Sequence, residues 1–429
     1  MIVESGFVSA LIQRQEHTYT DECSVFWFNI FAGAVMATAL ALLSPLIATF
    51  YEQPILVDLT RLMALNLLLS AFLTVPSALL SKRLDFKTQL KVSVSAVCVS
   101  GVLAIILALR GWGVWAIALQ ALSSTVVSIL VMWRLISWRP ARKLSFESLK
   151  NLFNFGGFLL LSGLMDNIST RLYTIIIGKS YGTLDLGHFY RATTTKDLPQ
   201  SMLADIFSRI AFPVFSALAS NPVELREGLR VSLVSSMAIN LPVMLGLMIT
   251  AGELVPVLFG PRWNGAIPIL QVLCGVGALW PLHVANINAL MAQGHSGLIF
   301  RLEIIKKSLF IPTIILASQV SVIAIPWGML ALSLLGIFIN TWYTRKFLKF
   351  GALRQFSVLG PYILITALMV LGVLVFGRLV AAESQWVVLL VKVSVGMLIY
   401  IVFCWAFKLE IVELGSSFLK NQRLEAGRS

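Results

Sequence analysis

Charge is what this sequence has least of. Only 12% of its 429 residues are Asp, Glu, Lys or Arg, against about a quarter in soluble domains. That excludes an ordinary soluble globular domain. Cysteine is also scarce. Cys23, Cys98, Cys274 and Cys404 lie far apart, so there is no Cys-x-x-Cys metal or redox motif, and they read as small apolar packers. His17, His188, His283 and His295 are equally scattered, which argues against a zinc site. Long polar gaps are missing too. Enzymes that act on sugars outside a membrane usually need a large external loop, and no gap here can supply one. No enzyme is therefore expected, and no cofactor is implied.

What fills the chain is apolar. It is 58% hydrophobic with a mean hydropathy of +0.87. Apolar stretches of about 20 residues recur, long enough to cross a hydrocarbon core of ~30 Å. They fall at 24–50, 56–80, 89–109, 112–136, 152–178, 183–218, 228–258, 266–292, 298–319, 321–344, 357–380 and 385–408. The expected fold is an all-α polytopic membrane protein of about twelve helices. The opening "MIVESGFVSALIQRQE" lacks a basic n-region and a small-residue cleavage site. It reads as the last part of a helix and not as a signal peptide.

The net charge is +13. Most Lys and Arg sit in short gaps, where they orient a membrane chain, so nucleic acid is not an expected partner. Basic gaps (82–91, 134–150, 226–230, 301–307, 345–354 and the tail after Lys408) alternate with gaps holding only Arg110, Lys179, Arg262 or Arg378. The positive-inside rule places the basic gaps, and the C-terminus, in the cytoplasm. A faint repeat lays Phe50 over Phe259, each a Phe-led turn with Pro between apolar helices. Together with the basic 134–150 linker it suggests two lobes.

One run stands out. Eight of the eleven residues from Arg191 to Ser201 are polar or charged: Arg191, Thr193, Thr194, Thr195, Lys196, Asp197, Gln200 and Ser201. Such a run cannot face lipid on any side. It either unwinds around Pro199 or lines water within the protein. On the preceding span Asn167, Arg171, Thr174 and Gly178 form one helical stripe flanked by Asp166 and Thr170. Intramembrane charges mark substrate pathways or pair with one another. Arg191 with Asp197, Lys196 with Asp197, and Asp166 with Arg171 are accordingly either cavity groups or structural ion pairs. Arg61 is expected to have no acid near it, and either reaches the cavity or snorkels. Lys392 is lone and is expected to snorkel outward. Asn286, Asn288 and Gln293 offer either sugar contacts or helix–helix hydrogen bonds.

"GFVSALIQRQE", "FWFNIFAG", "IAFPVFSAL" and above all "FGPRWNGAIPILQVLCGVGAL" (259–279) resemble the Wzx-type flippases of lipid-linked oligosaccharides. Within the multidrug/oligosaccharidyl-lipid/polysaccharide (MOP) superfamily, the colanic-acid-like branch is the nearest. The resemblance implies two six-helix lobes around a central cavity plus two C-terminal helices. Here that means 1–150 as an N-terminal lobe lacking its first two helices, 151–350 as a six-helix lobe, and 351–429 as two further helices and a cytoplasmic tail. It implies flipping of undecaprenyl-pyrophosphate-linked repeat units across the bacterial inner membrane by alternating access. Arg171, Arg191 and Lys196 become candidates for the pyrophosphate. Asp166, Asn167, Asp197, Gln200 and Arg61 become further candidate cavity contacts. The implied partners are the lipid-linked oligosaccharide, membrane lipids, a polysaccharide polymerase and a chain-length regulator. The readings set against it are a cation-coupled multidrug exporter, whose cavity should be acidic, a membrane polymerase or ligase, and an inactive truncated paralogue.

Overall fold

In a computed structural model of the protein the described residues are 18–83, 85–141, 145, 172–294, 296–379 and 384–410. They are helical almost throughout, and no strand occurs among them. Nine of their helices are long and apolar enough to cross a membrane. Eleven of the twelve expected spans fall on helices, with ends displaced by six residues or fewer. The twelfth, 152–178, lies mostly outside the described residues. The chain divides into two compact units, Met1–Arg171 and Leu172–Ser429.

The first unit holds α1 (Tyr19–Tyr51), α2 (Leu56–Lys82), α3 (Phe86–Leu109) and α4 (Val114–Leu135). Helix α1 opens with a capping box. The Thr18 hydroxyl accepts from the Asp21 N–H, and the Asp21 carboxylate accepts from the Thr18 N–H at 2.8 Å, so two orphan donors are satisfied. Asp85 caps α3 by accepting from the Thr88 N–H and hydroxyl, which hold its carboxyl below the usual range. Helices α1 and α2 pack together, and α4 packs on α2 and α3. Phe26 is at the centre, edge-on to Trp27, Phe72, Trp133 and Trp138. The basic segment after α4 does not hang free. Trp138 donates its indole N–H to buried Glu22 at 2.6 Å, and Trp27 donates to the Ala141 carbonyl at 2.9 Å. The Arg139 guanidinium caps the carbonyls of Trp133, Ile136 and Trp138. The two indoles thus fasten this segment to the start of α1, and Arg139 fastens it to the end of α4.

The second unit holds α5 (Gly182–Leu218), α6 (Pro222–Phe259), a 3-10 turn (Pro261–Trp263), α7 (Ala266–Ala292), α8 (Ser296–Ser318), α9 (Ala324–Leu348), α10 (Ala352–Leu379) and α11 (Gln385–Ala406). Residues 172–180 are helical as well. Asn221 caps α6 with Pro222 at its first position, where a missing N–H costs nothing. Leu225, Leu229, Leu233, Met237, Leu241 and Met244 make one buried stripe down α6. They meet a stripe of Ala278, Leu282, Ala285 and Ala289 on α7. Lipid tails are as apolar as leucine, so this contact is held by close packing of large side chains against small ones.

Helices α7, α9 and α10 are joined by a polar knot. The Asn286 carbonyl oxygen accepts from the Gln355 amide (2.8 Å) and the Thr344 hydroxyl (2.9 Å), and its amide donates to Gln355 Oε1 (2.9 Å). All three side chains are fully buried. Of the two readings for Asn286, the helix–helix bond is the one found. Gln355→Leu should cost about 1–3 kcal/mol, because it leaves the Phe350 carbonyl and half of the Asn286 amide without partners. A thermal melt of the purified protein checks this. An unchanged melting temperature would show the knot to be dispensable.

Candidate functional site

The polar run does not unwind. Residues 182–218 form one continuous helix through Pro199. At 1.5 Å per residue α5 is about 55 Å long, well beyond the hydrocarbon core. The hydroxyls explain how a helix tolerates this sequence. Thr193, Thr195 and Ser201 donate back to the carbonyls of Phe189, Arg191 and Leu198. Their polarity is therefore absorbed by α5 itself.

The cations face different surroundings. The Arg191 guanidinium lies 4.4 Å over the Phe259 ring and 4.8 Å over the Trp263 ring, and its Nε is buried without a hydrogen-bond partner. It is thus stacked on the turn between α6 and α7, and not paired with Asp197. Trp263→Ala should lower stability by about 1 kcal/mol, the worth of one such contact, while Trp263→Phe should keep most of it. Melting temperatures of the two variants decide between them.

Lys196 is deeper. Its side chain is 13% exposed, and Nζ is 2.6 Å from Asp197 Oδ1. Its stem crosses α7 at Gly277, where a Cβ would come within 3.3 Å of Lys196 Cδ and of Gln200 Oε1, and within 2.8 Å of Met244 Sδ. Asn240 on α6 donates its amide to the carbonyls of Gly277 (3.0 Å) and Ala278 (3.2 Å). Gln200 Oε1 and Asn240 Oδ1 are buried without partners. One half-neutralised cation and two unused acceptors therefore converge on Gly277. The cation suits an anion, and the acceptors suit hydroxyl donors.

An apolar cavity of about 460 Å³ adjoins this helix. Pro199 lines it from α5, Pro242 and Leu254 from α6, Met369 from α10, and Met397 from α11. Lys392 is the one charged side chain among the described residues of its wall. Lys392 does not snorkel outward. It is 12% exposed and paired with Glu253 Oε1 on α6. Gly377 on α10 makes room for it, since a Cβ there would sit 2.6 Å from Lys392 Cε. A neutral pair is cheaper in an apolar wall than an ammonium stretched to the interface.

Arg61 is also not without an acid. Asp58, one turn earlier, lies 4.0 Å away, and the Arg61 side chain is 57% exposed. Asp166, Asn167 and Arg171 lie outside the described residues. Three contributors were not read from the sequence: Asn240, Gly277 and the Glu253–Lys392 pair. The pair had a signal. Glu253 lies six residues before the end of α6 and Lys392 seven after the start of α11, so two lone opposite charges sit at about 10 Å depth from adjoining helix ends.

Over residues 1–268 the chain matches the polysaccharide biosynthesis protein family, and it belongs to that family. The teichuronic acid biosynthesis protein TuaB of Bacillus subtilis is 29% identical over 410 residues, covering 94% of this chain and 84% of that protein. The lipopolysaccharide biosynthesis protein WzxC of Escherichia coli is 27% identical over 392 residues, covering 87% and 78%. Among solved structures, lipid II flippase MurJ in an inward closed conformation matches with a TM-score of 0.76 at 13% identity, over 95% of this chain and 88% of that one. At that identity the likeness concerns the fold. The chain is a multi-pass membrane protein with a flippase-type fold, and the resemblance read from its sequence is borne out.

Proposed function

We propose that the protein flips undecaprenyl-pyrophosphate-linked oligosaccharide repeat units from the cytoplasmic to the periplasmic leaflet of a bacterial inner membrane, by alternating access. One observation carries this reading. A deep cation and an apolar cavity adjoin on the same helix, with Lys196 and Pro199 one turn apart. A lipid-linked pyrophosphate has those two halves, an anionic head and a long apolar tail. The unused oxygens of Gln200 and Asn240 suit the sugar hydroxyls. The likeness to TuaB, a teichuronic acid biosynthesis protein, and to WzxC, a lipopolysaccharide biosynthesis protein, supports the substrate class.

In this reading Lys196 and Arg191 receive the pyrophosphate, and Asp197 occupies the lysine when substrate is absent. Arg171, Asp166, Asn167 and Arg61 remain proposed contacts. The lobes proposed are 1–150 and 151–350, with 351–429 as an added pair of helices and a cytoplasmic tail. A polymerase and a chain-length regulator are the proposed protein partners. A cation-coupled drug exporter is disfavoured, because the run from Arg191 to Ser201 holds two cations, Arg191 and Lys196, against one acid, Asp197. Complementation of a strain lacking its own flippase tests the proposal. Surface polymer should return and lipid-linked oligosaccharide should leave the cytoplasmic leaflet. Polymer that stays absent while the protein is inserted and its matching sugar is made would refute it.

A further inference from the structure

A second cavity, of about 560 Å³, lies where α9 ends and α10 begins. Its walls carry two chemistries: the cations Arg345, Lys349 and Arg354, and the apolar side chains Phe338, Trp342 and Leu353, which are 57%, 66% and 87% exposed. No described carboxylate pairs with these three cations. That sets them apart from Lys196, Arg230, Lys306 and Lys392, each of which holds an acid.

The cationic wall is built into the backbone. The Arg345 stem lies across Gly351, where a Cβ would come within 3.0 Å of Arg345 Cβ and 3.1 Å of its Cδ. Arg354 donates from Nη1 to the Lys349 carbonyl at 2.9 Å. Lys349 itself sits in the left-handed region at φ 54° and turns the chain between the helices. The Arg345 stem and the Arg354 guanidinium are thus held in place before anything binds, which reduces the ordering cost of capturing an anion. The first N–H groups of the 28-residue α10 open beside them and add positive potential.

The two walls are ordered along α9. Phe338, Trp342 and Arg345 follow at helical spacing, so Phe338 is about 10 Å further into the membrane than Arg345. A free anion would use only the cationic wall. A phospholipid uses both, with its acyl chain on Phe338 and Trp342 and its phosphate on the arginines. Trp belongs at the headgroup level, and basic pockets between spanning helices take anionic headgroups.

We propose that this cavity binds an anionic phospholipid of the bilayer through its phosphate. The site is separate from the transport site and does not depend on the reading of it.

Native mass spectrometry of the purified full chain tests this, with phosphatidylglycerol or phosphatidylcholine supplied in the micelle. Phosphatidylglycerol retention should exceed phosphatidylcholine retention about tenfold. The Arg345→Gln/Arg354→Gln double variant should lower it at least fivefold. Lys87→Gln/Lys91→Gln, in another basic gap, should leave it unchanged. If the double variant does not fold, Arg354→Gln alone should still lower retention about twofold. Equal retention by variant and parent would overturn the proposal. So would displacement of the lipid by millimolar inorganic phosphate, which would mark a site for free anions.

Discussion

Replacing Lys196 by Glu is expected to stop translocation. The new carboxylate would stand beside Asp197 and close to the partnerless oxygens of Gln200 and Asn240. It would also repel the phosphate it should receive. At ~5 Å and an effective dielectric of ~20, one repulsion of this kind is worth about 3 kcal/mol, which is more than a hundredfold in binding. Lys196→Gln removes the cation without adding an anion and should reduce transport about tenfold. Lys196→Arg should retain most of it, provided the longer head finds room over Gly277. The readout is lipid-linked oligosaccharide left on the cytoplasmic leaflet of a complemented strain, with membrane insertion checked for each variant. Full polymer output from Lys196→Glu would remove Lys196 from the site.

The largest stability effect should come from the Glu253–Lys392 pair. Each side chain is mostly buried, at 22% and 12% exposure, and Lys392 stands in a wall that is mostly apolar. Removing one partner leaves the other charged and unpaired, at a cost of about 3–5 kcal/mol. Lys392→Leu and Glu253→Leu should each lower the melting temperature strongly. The double variant should recover most of the loss, because two apolar side chains fit an apolar wall. A coupling energy of at least about 2 kcal/mol in the double-mutant cycle is the expected result. Additive losses would mean that the two residues act apart, with Lys392 snorkelling after all. The pair also fastens α11 to α6, so the single variants should expose α11 to proteolysis before the rest of the second unit.

The helices were legible because a span needs only length and apolarity. A hydropathy window finds α6 or α7 without knowing its neighbours. The ends were less legible, since they depend on local caps such as Thr18 with Asp21 and Asn221 with Pro222. The run from Arg191 to Ser201 was conspicuous for the same compositional reason, but its fate was not readable. Whether a threonine faces a cavity or bonds its own helix depends on a rotamer, and Thr193 and Thr195 chose the helix.

The cations show where sequence reasoning stopped. Arg191, Lys196, Lys392 and Arg61 look alike in a string of letters. Their partners are two aromatic rings, an adjacent carboxylate, a carboxylate 139 residues away and an exposed neighbour one turn back. By itself the sequence determined an all-helical membrane protein of a polysaccharide biosynthesis family, with a costly polar run on one helix. Those properties are sums over residues, and the bilayer reads sums. Only the tertiary structure decided which charges are spent on packing and which stay available. That depends on which helix faces meet, and a contact such as Glu253 with Lys392 exists only once α6 and α11 are side by side.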